Sequence, residues 1–183
     1  DETLDRFRLC QGPTEELARR KRTAVHRMVD AVLHAELPSQ TEPFSLSEIP
    51  MSARRSELTF HFPLRQEELH RTSALAEILK THWISPARNE KFLSRLANSQ
   101  KVIPMGFMTG SSDLLFERAG RFYIVDWKSN SLDGFEENFD NNGLAAEMAA
   151  SDYYLQYLIY TVAADGFLRQ SLAGYDYERD FGG

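Results

Sequence analysis

The chain has 183 residues, 42% of them hydrophobic and 26% charged, enough to bury one substantial core and too ordinary a balance for a disordered or fibrous protein. Its formal net charge of -6 argues against a free-standing nucleic-acid binder, because phosphate neutralisation by Lys and Arg supplies most non-specific affinity. The single cysteine, Cys10, excludes an internal disulfide and a thiolate metal cluster, and no apolar run approaches the roughly 20 residues of a membrane span, so a cytoplasmic protein without a membrane partner is expected.

Thr14, after Pro13 and before Glu15 and Glu16, reads as a helix N-cap with two carboxylates near the positive end of the dipole. Leu17, Ala24, Val25, Met28, Val32 and Leu33 then recur at helical spacing until Pro38, which predicts an amphipathic helix. The run Arg19, Arg20, Lys21, Arg22 and the pair Arg54, Arg55 are the dense basic spots; solvated surface explains them more simply than phosphate contact. Residues 39–52, rich in Ser, Pro and Glu, read as a connection with a short turn at 46–49.

Leu58, Phe60 and Phe62 alternate with Thr59 and His61 in a strand that Pro63 closes. A helix is predicted over 72–82, with Leu75, Ile78 and Leu79 on one side, whereas 83–105 has no clear period. Strands over 111–117 and 121–128 flank Ala119 and Gly120, a polar loop follows at 131–142, and a helical region over 144–172 is broken near Ser151.

A two-residue turn at Ala119 and Gly120 pairs Arg118 with Arg121 and places Asp113 opposite Asp126. Facing residues share one side of the sheet with Cβ atoms roughly 5 Å apart, where like charges destabilise it. Lys128, two residues on, shares that side. Two carboxylates this close make sense around a hard divalent cation such as magnesium, which takes oxygen ligands and lowers the pKa of bound water. Lys128 then orients or activates that water, or stabilises the transition state of phosphodiester hydrolysis. The plain alternative is a surface hairpin in which Lys128 is an ion-pair partner of the two aspartates.

These residues resemble a known family. Gly106, Gly110-Ser111-Ser112-Asp113-Leu114-Leu115-Phe116 and Tyr123-Ile124-Val125-Asp126-Trp127-Lys128-Ser129-Asn130 resemble the core of the PD-(D/E)xK nucleases, and within them the C-terminal nuclease domain of the RecB family, the beta subunits of exodeoxyribonuclease V. The likeness continues through Ala145-Ala146-Glu147-Met148-Ala149-Ala150, Tyr153-Tyr154-Leu155-Gln156-Tyr157-Leu158-Ile159-Tyr160 and Tyr175-Asp176-Tyr177-Glu178-Arg179-Asp180-Phe181-Gly182-Gly183, and more weakly over 45–63.

The resemblance implies an α/β restriction-endonuclease-like fold with a central mixed sheet flanked by helices. It implies Asp113, Asp126 and the backbone carbonyl of Trp127 as metal ligands, Lys128 as the catalytic lysine, and magnesium as cofactor. Gln156 and Tyr160 match the family's QxxxY motif, and their i, i+4 spacing puts both on one helix face, able to support the site or the DNA. The family carries a further histidine ligand upstream. His26, in Thr23-Ala24-Val25-His26-Arg27-Met28-Val29-Asp30, resembles that pattern, but Met28 to Pro38 better matches a helix lying after the histidine, which places the true equivalent before Asp1. Glu57, entering a strand ahead of the core, is a weaker site candidate, and an ordinary strand-end carboxylate is its simpler reading.

The implied protein is a single nuclease domain over 1–183, excised from a longer one that continues at both ends. It would hydrolyse DNA phosphodiesters as the nuclease module of a RecBCD-type helicase-nuclease in double-strand-break repair. RecC-like and RecD-like subunits would be its partners, a single strand delivered from a duplex end its substrate, and ATP would serve only the motor part outside this chain. The isolated fragment would then lack a ligand and be inactive. Two rivals stand beside this: a non-catalytic nuclease-like scaffold, which predicts loss of a core residue although all three are present, and a metal-dependent hydrolase of another substrate.

Overall fold

Thr14 does cap the first helix, α1 (Glu15–His34): its backbone is extended and its Oγ1 accepts from the Leu17 N–H at 3.3 Å. The computed structural model describes residues 11–12, 14–39, 42–64, 72–82, 90–99, 106–132 and 139–183, so Cys10, Pro13, and the 83–89 and 100–105 parts of the unassigned stretch lie outside the described residues. Within α1, Glu16 accepts from Arg19 and Arg20 at 2.7 and 2.8 Å, which holds its carboxyl below the usual range and answers part of the basic run inside its own helix. The predicted apolar stripe forms but buries no residue, and Met28 is 60% exposed. After α1, Leu37 and Phe44 pair in an antiparallel bridge, and short 3-10 turns follow at Leu46–Glu48 and Met51–Ala53, with Phe44, Leu46 and Ile49 buried. The chain up to Arg54, with Gly182, is one compact unit; Arg55–Phe181, with Gly183, is another.

Apart from Arg54, the second unit holds the sheet, β1 (Arg54–Leu64), β2 (Gly106–Arg118) and β3 (Arg121–Val125), in the order β1-β2-β3. Leu58 and Phe60 of β1 are buried between exposed neighbours, the period of two read from the sequence. The strand runs one residue past Pro63, as a proline near a strand end permits. β2 and β3 pair antiparallel from Leu114↔Val125 to Arg118↔Arg121, the register that the two-residue turn demands. Ala119 and Gly120 sit at φ 53° and 79°, as the twist of such a turn requires. Beyond β3, the chain's last residues lie along the strand: Phe122 and Phe181 form a parallel bridge, and the Ile124 N–H donates to the Gly183 carbonyl at 2.7 Å. This bridge is an isolated one outside the three named strands, so among the described residues the sheet itself shows no parallel strand pair of the kind a mixed sheet would have.

Helices α2 (Thr72–His82), α3 (Glu90–Asn98), α4 (Asn141–Ala150), α5 (Tyr153–Ser171) and α6 (Tyr177–Asp180) complete the unit. α3 lies in the stretch without a clear period; its Phe92, Leu93 and Leu96 still form one buried face. Two cores result. In one, Leu58 and Leu115 of the sheet pack with Ala164 and Leu168 of α5 and with Phe181. In the other, Ala76 of α2 packs with the α3 face, bordered by Ala149, Tyr154 and Leu155. The break between α4 and α5 falls at Ser151 and Asp152, where Asp152 takes φ 57°. Arg95 of α3 spans it, donating to the carbonyls of Ala149 and Ala150 and to the Asp152 carboxylate. The helical region starts at Asn141, earlier than its apolar pattern, because Asp140 caps it by accepting from the N–H groups of Asn142 and Gly143.

The result is the α/β architecture expected of the chain, a sheet flanked by helices. Among the described residues no helix is long and apolar enough to cross a membrane. One close approach matters for the site. A Cβ at Gly110 of β2 would lie 2.4 Å from Phe60 Cζ, and the Phe60 ring meets Tyr160 of α5 edge-on at 5.5 Å.

Candidate active site

The ladder between β2 and β3 ends at Leu114↔Val125, one pair short of Asp113 and Asp126. The second strand stops at Val125 rather than 128 because the next polar groups turn to side-chain partners. The Trp127 N–H donates to Asp113 Oδ2 at 2.7 Å, and the Lys128 ammonium donates to Asp126 Oδ2. Asp113 therefore holds the peptide joining Asp126 to Trp127, and both carboxylates and the ammonium gather at the open end of the hairpin.

Burial pushes the Lys128 pKa down, while the field of Asp113 opposes that shift. The side chains of Lys128 and Asp126 are 32% and 20% exposed, partly stripped of water. The Lys128 ammonium also stands 4.5 Å from the centre of the Tyr153 ring, a favourable cation–π distance. Tyr153 is itself anchored: its hydroxyl donates to Asn130 Oδ1 at 2.7 Å, and Asn130 Nδ2 donates to Glu147 Oε1 at 2.6 Å. Ser151 donates to the same Glu147 oxygen at 2.6 Å.

Asp126 and Lys128 line a cleft of about 410 Å³ together with Asn130, Glu147, Tyr153, Gln156 and Tyr160. Gln156 Nε2 donates to the Tyr160 hydroxyl at 2.8 Å, so the pair meets across one helical turn as its spacing requires. The structure thus brings Asp126, Lys128, Gln156 and Tyr160 to one cleft, with Asp113 bound to the peptide beside it.

Two further sequence candidates remain. His26 is exposed on α1, in the first compact unit, and Glu57 is an exposed residue of β1 whose φ of 53° marks a kink in the strand. Among the described residues, no three His, Cys, Asp or Glu side chains converge as a metal-ligand group. Arg55 stacks over Phe167 at 5.3 Å, a structural use for one of the basic pair.

Sequence reasoning passed over Glu147, Asn130 and Tyr153. The available signals were slight: Glu147 and Ser151 are spaced i, i+4, and Asn130 lies two residues after Lys128. The bonds joining them span 17 and 23 residues, which no local pattern exposes.

No family model matches the chain. It is similar to curated proteins named RecBCD enzyme subunit RecB: 35% identical over 127 residues in Haemophilus influenzae, 30% over 155 residues in Escherichia coli, and 30% over 151 residues in Mycolicibacterium smegmatis. These matches cover 69%, 85% and 76% of this chain but only 10%, 12% and 14% of the respective relatives, so the chain spans a small part of the proteins it matches. Agreement at this level across such different bacteria, on a chain whose hairpin, cleft and paired Gln156 and Tyr160 form one connected arrangement, places this segment in the RecB family.

Proposed function

We propose that this segment is the nuclease module of a RecBCD-type helicase-nuclease in DNA repair and recombination, hydrolysing DNA phosphodiester bonds with magnesium. RecC-like and RecD-like subunits and a delivered DNA strand are its partners. The observation that carries the reading is the gathering of Asp113, Asp126 and Lys128 at the hairpin end, beside the cleft that Gln156 and Tyr160 also line. The net charge of -6 fits a module to which other parts of an assembly bring the nucleic acid.

The donor set suits magnesium. Asp113, Asp126 and the Trp127 carbonyl offer hard oxygen atoms, and magnesium commonly takes only one or two carboxylates and keeps several waters, so a third converging side chain is not required. When bound there, the ion would supply Lewis-acid stabilisation of phosphoryl charge and a more acidic water. The protein's own groups do the rest. The Asp113 hydrogen bond holds the Asp126–Trp127 peptide, which joins the residue of the second carboxylate to the residue whose carbonyl completes the donor set. Lys128 Nζ, partly desolvated and seated over Tyr153, presents its charge to an anionic phosphoryl oxygen more strongly than a hydrated ammonium would. Gln156 and Tyr160 orient one another on the cleft wall.

The test is degradation of linear DNA by the full-length parent protein with magnesium, alongside Asp126→Ala and Lys128→Ala. Loss of cleavage in both is expected; degradation unchanged in either overturns the catalytic assignment and leaves the scaffold reading.

A further inference from the structure

The cleft beside Asp126 and Lys128 is more apolar than phosphodiester chemistry alone needs. Ile124, Leu132, Leu144 and Met148 line it, and Phe139 and Tyr157 stand in its wall, each 50% exposed. Its polar groups largely satisfy one another: Lys128 with Asp126, Asn130 with Glu147 and Tyr153, Gln156 with Tyr160. Beyond the Lys128 charge, what remains to offer a ligand is an apolar wall with aromatic faces. A phosphate or a sugar gains little from such a surface. A nucleobase gains stacking energy from it whatever its identity, because every base presents a π-face.

We infer that this cleft receives a nucleobase of the strand being cut, stacked on Tyr157 with Phe139 nearby, while the attached phosphate faces Lys128. The inference rests on the phosphodiester reading above and adds a base-binding subsite to it. The cleft volume of about 410 Å³ lies within the ~300–1,000 Å³ range of sites that enclose ligands of nucleotide size. Tyr157 is better suited than its neighbours, because the Tyr153 ring already faces Lys128 and the Tyr160 ring meets Phe60. A base in the cleft must leave its own stack and its pairing partner, so the site would select unpaired strands by geometry rather than by charge.

The experiment uses the full-length protein in its complex and a labelled single strand in which one abasic nucleotide is moved position by position. Wild-type cleavage should fall by between about fivefold and a hundredfold at one fixed distance from the abasic position. Tyr157→Ala should cut every strand slowly and without that dip, and Tyr157→Phe should restore the dip, since it keeps the ring. Separately, with magnesium omitted, a strand carrying 5-iodouridine should photocrosslink to Tyr157 or Phe139. Wild-type cleavage indifferent to the abasic position, or crosslinks that never reach these residues, overturns the subsite. Cleavage that persists in Lys128→Ala overturns the nuclease reading instead, and the crosslink still reports on the cleft.

Discussion

The backbone N–H of Trp127 donates to Asp113 Oδ2 at 2.7 Å, so one hairpin carboxylate grips the peptide that follows the other. Asp113 consequently has two separable tasks, accepting that bond and supplying negative charge. Asp113→Asn should keep an acceptor and leave thermal stability nearly unchanged, yet abolish magnesium-dependent cleavage and any rise of the melting temperature on adding magnesium. Asp113→Ala should also cost about 1 kcal/mol of stability through the lost bond. Melting curves with and without magnesium separate the two.

Gln156 and Tyr160 should behave as a unit. Tyr160→Phe removes the hydroxyl that accepts from Gln156 at 2.8 Å in a part-buried setting, at a cost of about 1 kcal/mol. Gln156→Leu should then add little in the double variant, so a double-mutant cycle read by urea denaturation should show coupling of about 1 kcal/mol. Additive effects would mean that the two side chains act separately.

Arg95 ties α3 to the junction of α4 and α5 through the carbonyls of Ala149 and Ala150 and the Asp152 carboxylate. Its side chain is 46% exposed, which limits the ion-pair part of the gain. Arg95→Ala should destabilise by about 1 kcal/mol, mainly through helix-end carbonyls left without a protein donor. Because the same junction precedes Tyr153, the variant should also raise hydrogen exchange at the start of α5.

Acid should loosen the segment carrying α6. The Asp180 carboxyl is drawn from 3.8 to about 2, first by its hydrogen bonds from the Arg179 guanidinium and next by the Asp176 N–H. The folded state favours the ionised form, so this stabilisation is complete above the unfolded value near 3.8 and disappears as pH falls toward about 2. Arg179→Ala should remove most of the shift and move the acid unfolding transition, followed by circular dichroism, to higher pH.

Some of this was legible from residues alone. Ala119 and Gly120 fix the turn length, the turn fixes the register, and the register brings Asp113 and Asp126 to the same end; each step is local. The Gln156 and Tyr160 contact follows from helical spacing in the same way. The extent of β3 was not legible, because strand propensity carries on through Trp127 while Asp113 takes the N–H that a ladder would use. Nor was the link from Glu147 through Asn130 to Tyr153, since its members meet only after α4 and α5 have packed. α3 escaped for a different reason: its nine residues offer too few turns to declare a period.

Gly110 carries no functional group, yet the space above it belongs to the Phe60 ring, and that ring in turn bears on Tyr160. A methyl group there would meet a buried aromatic that cannot simply swing away. Gly110→Ala would therefore mimic a lesion of the cleft itself: the disturbance would pass from a strand backbone to a ring and from that ring to the tyrosine partnered by Gln156. By occupying no room, Gly110 leaves the Phe60 ring its place against the tyrosine that lines the cleft.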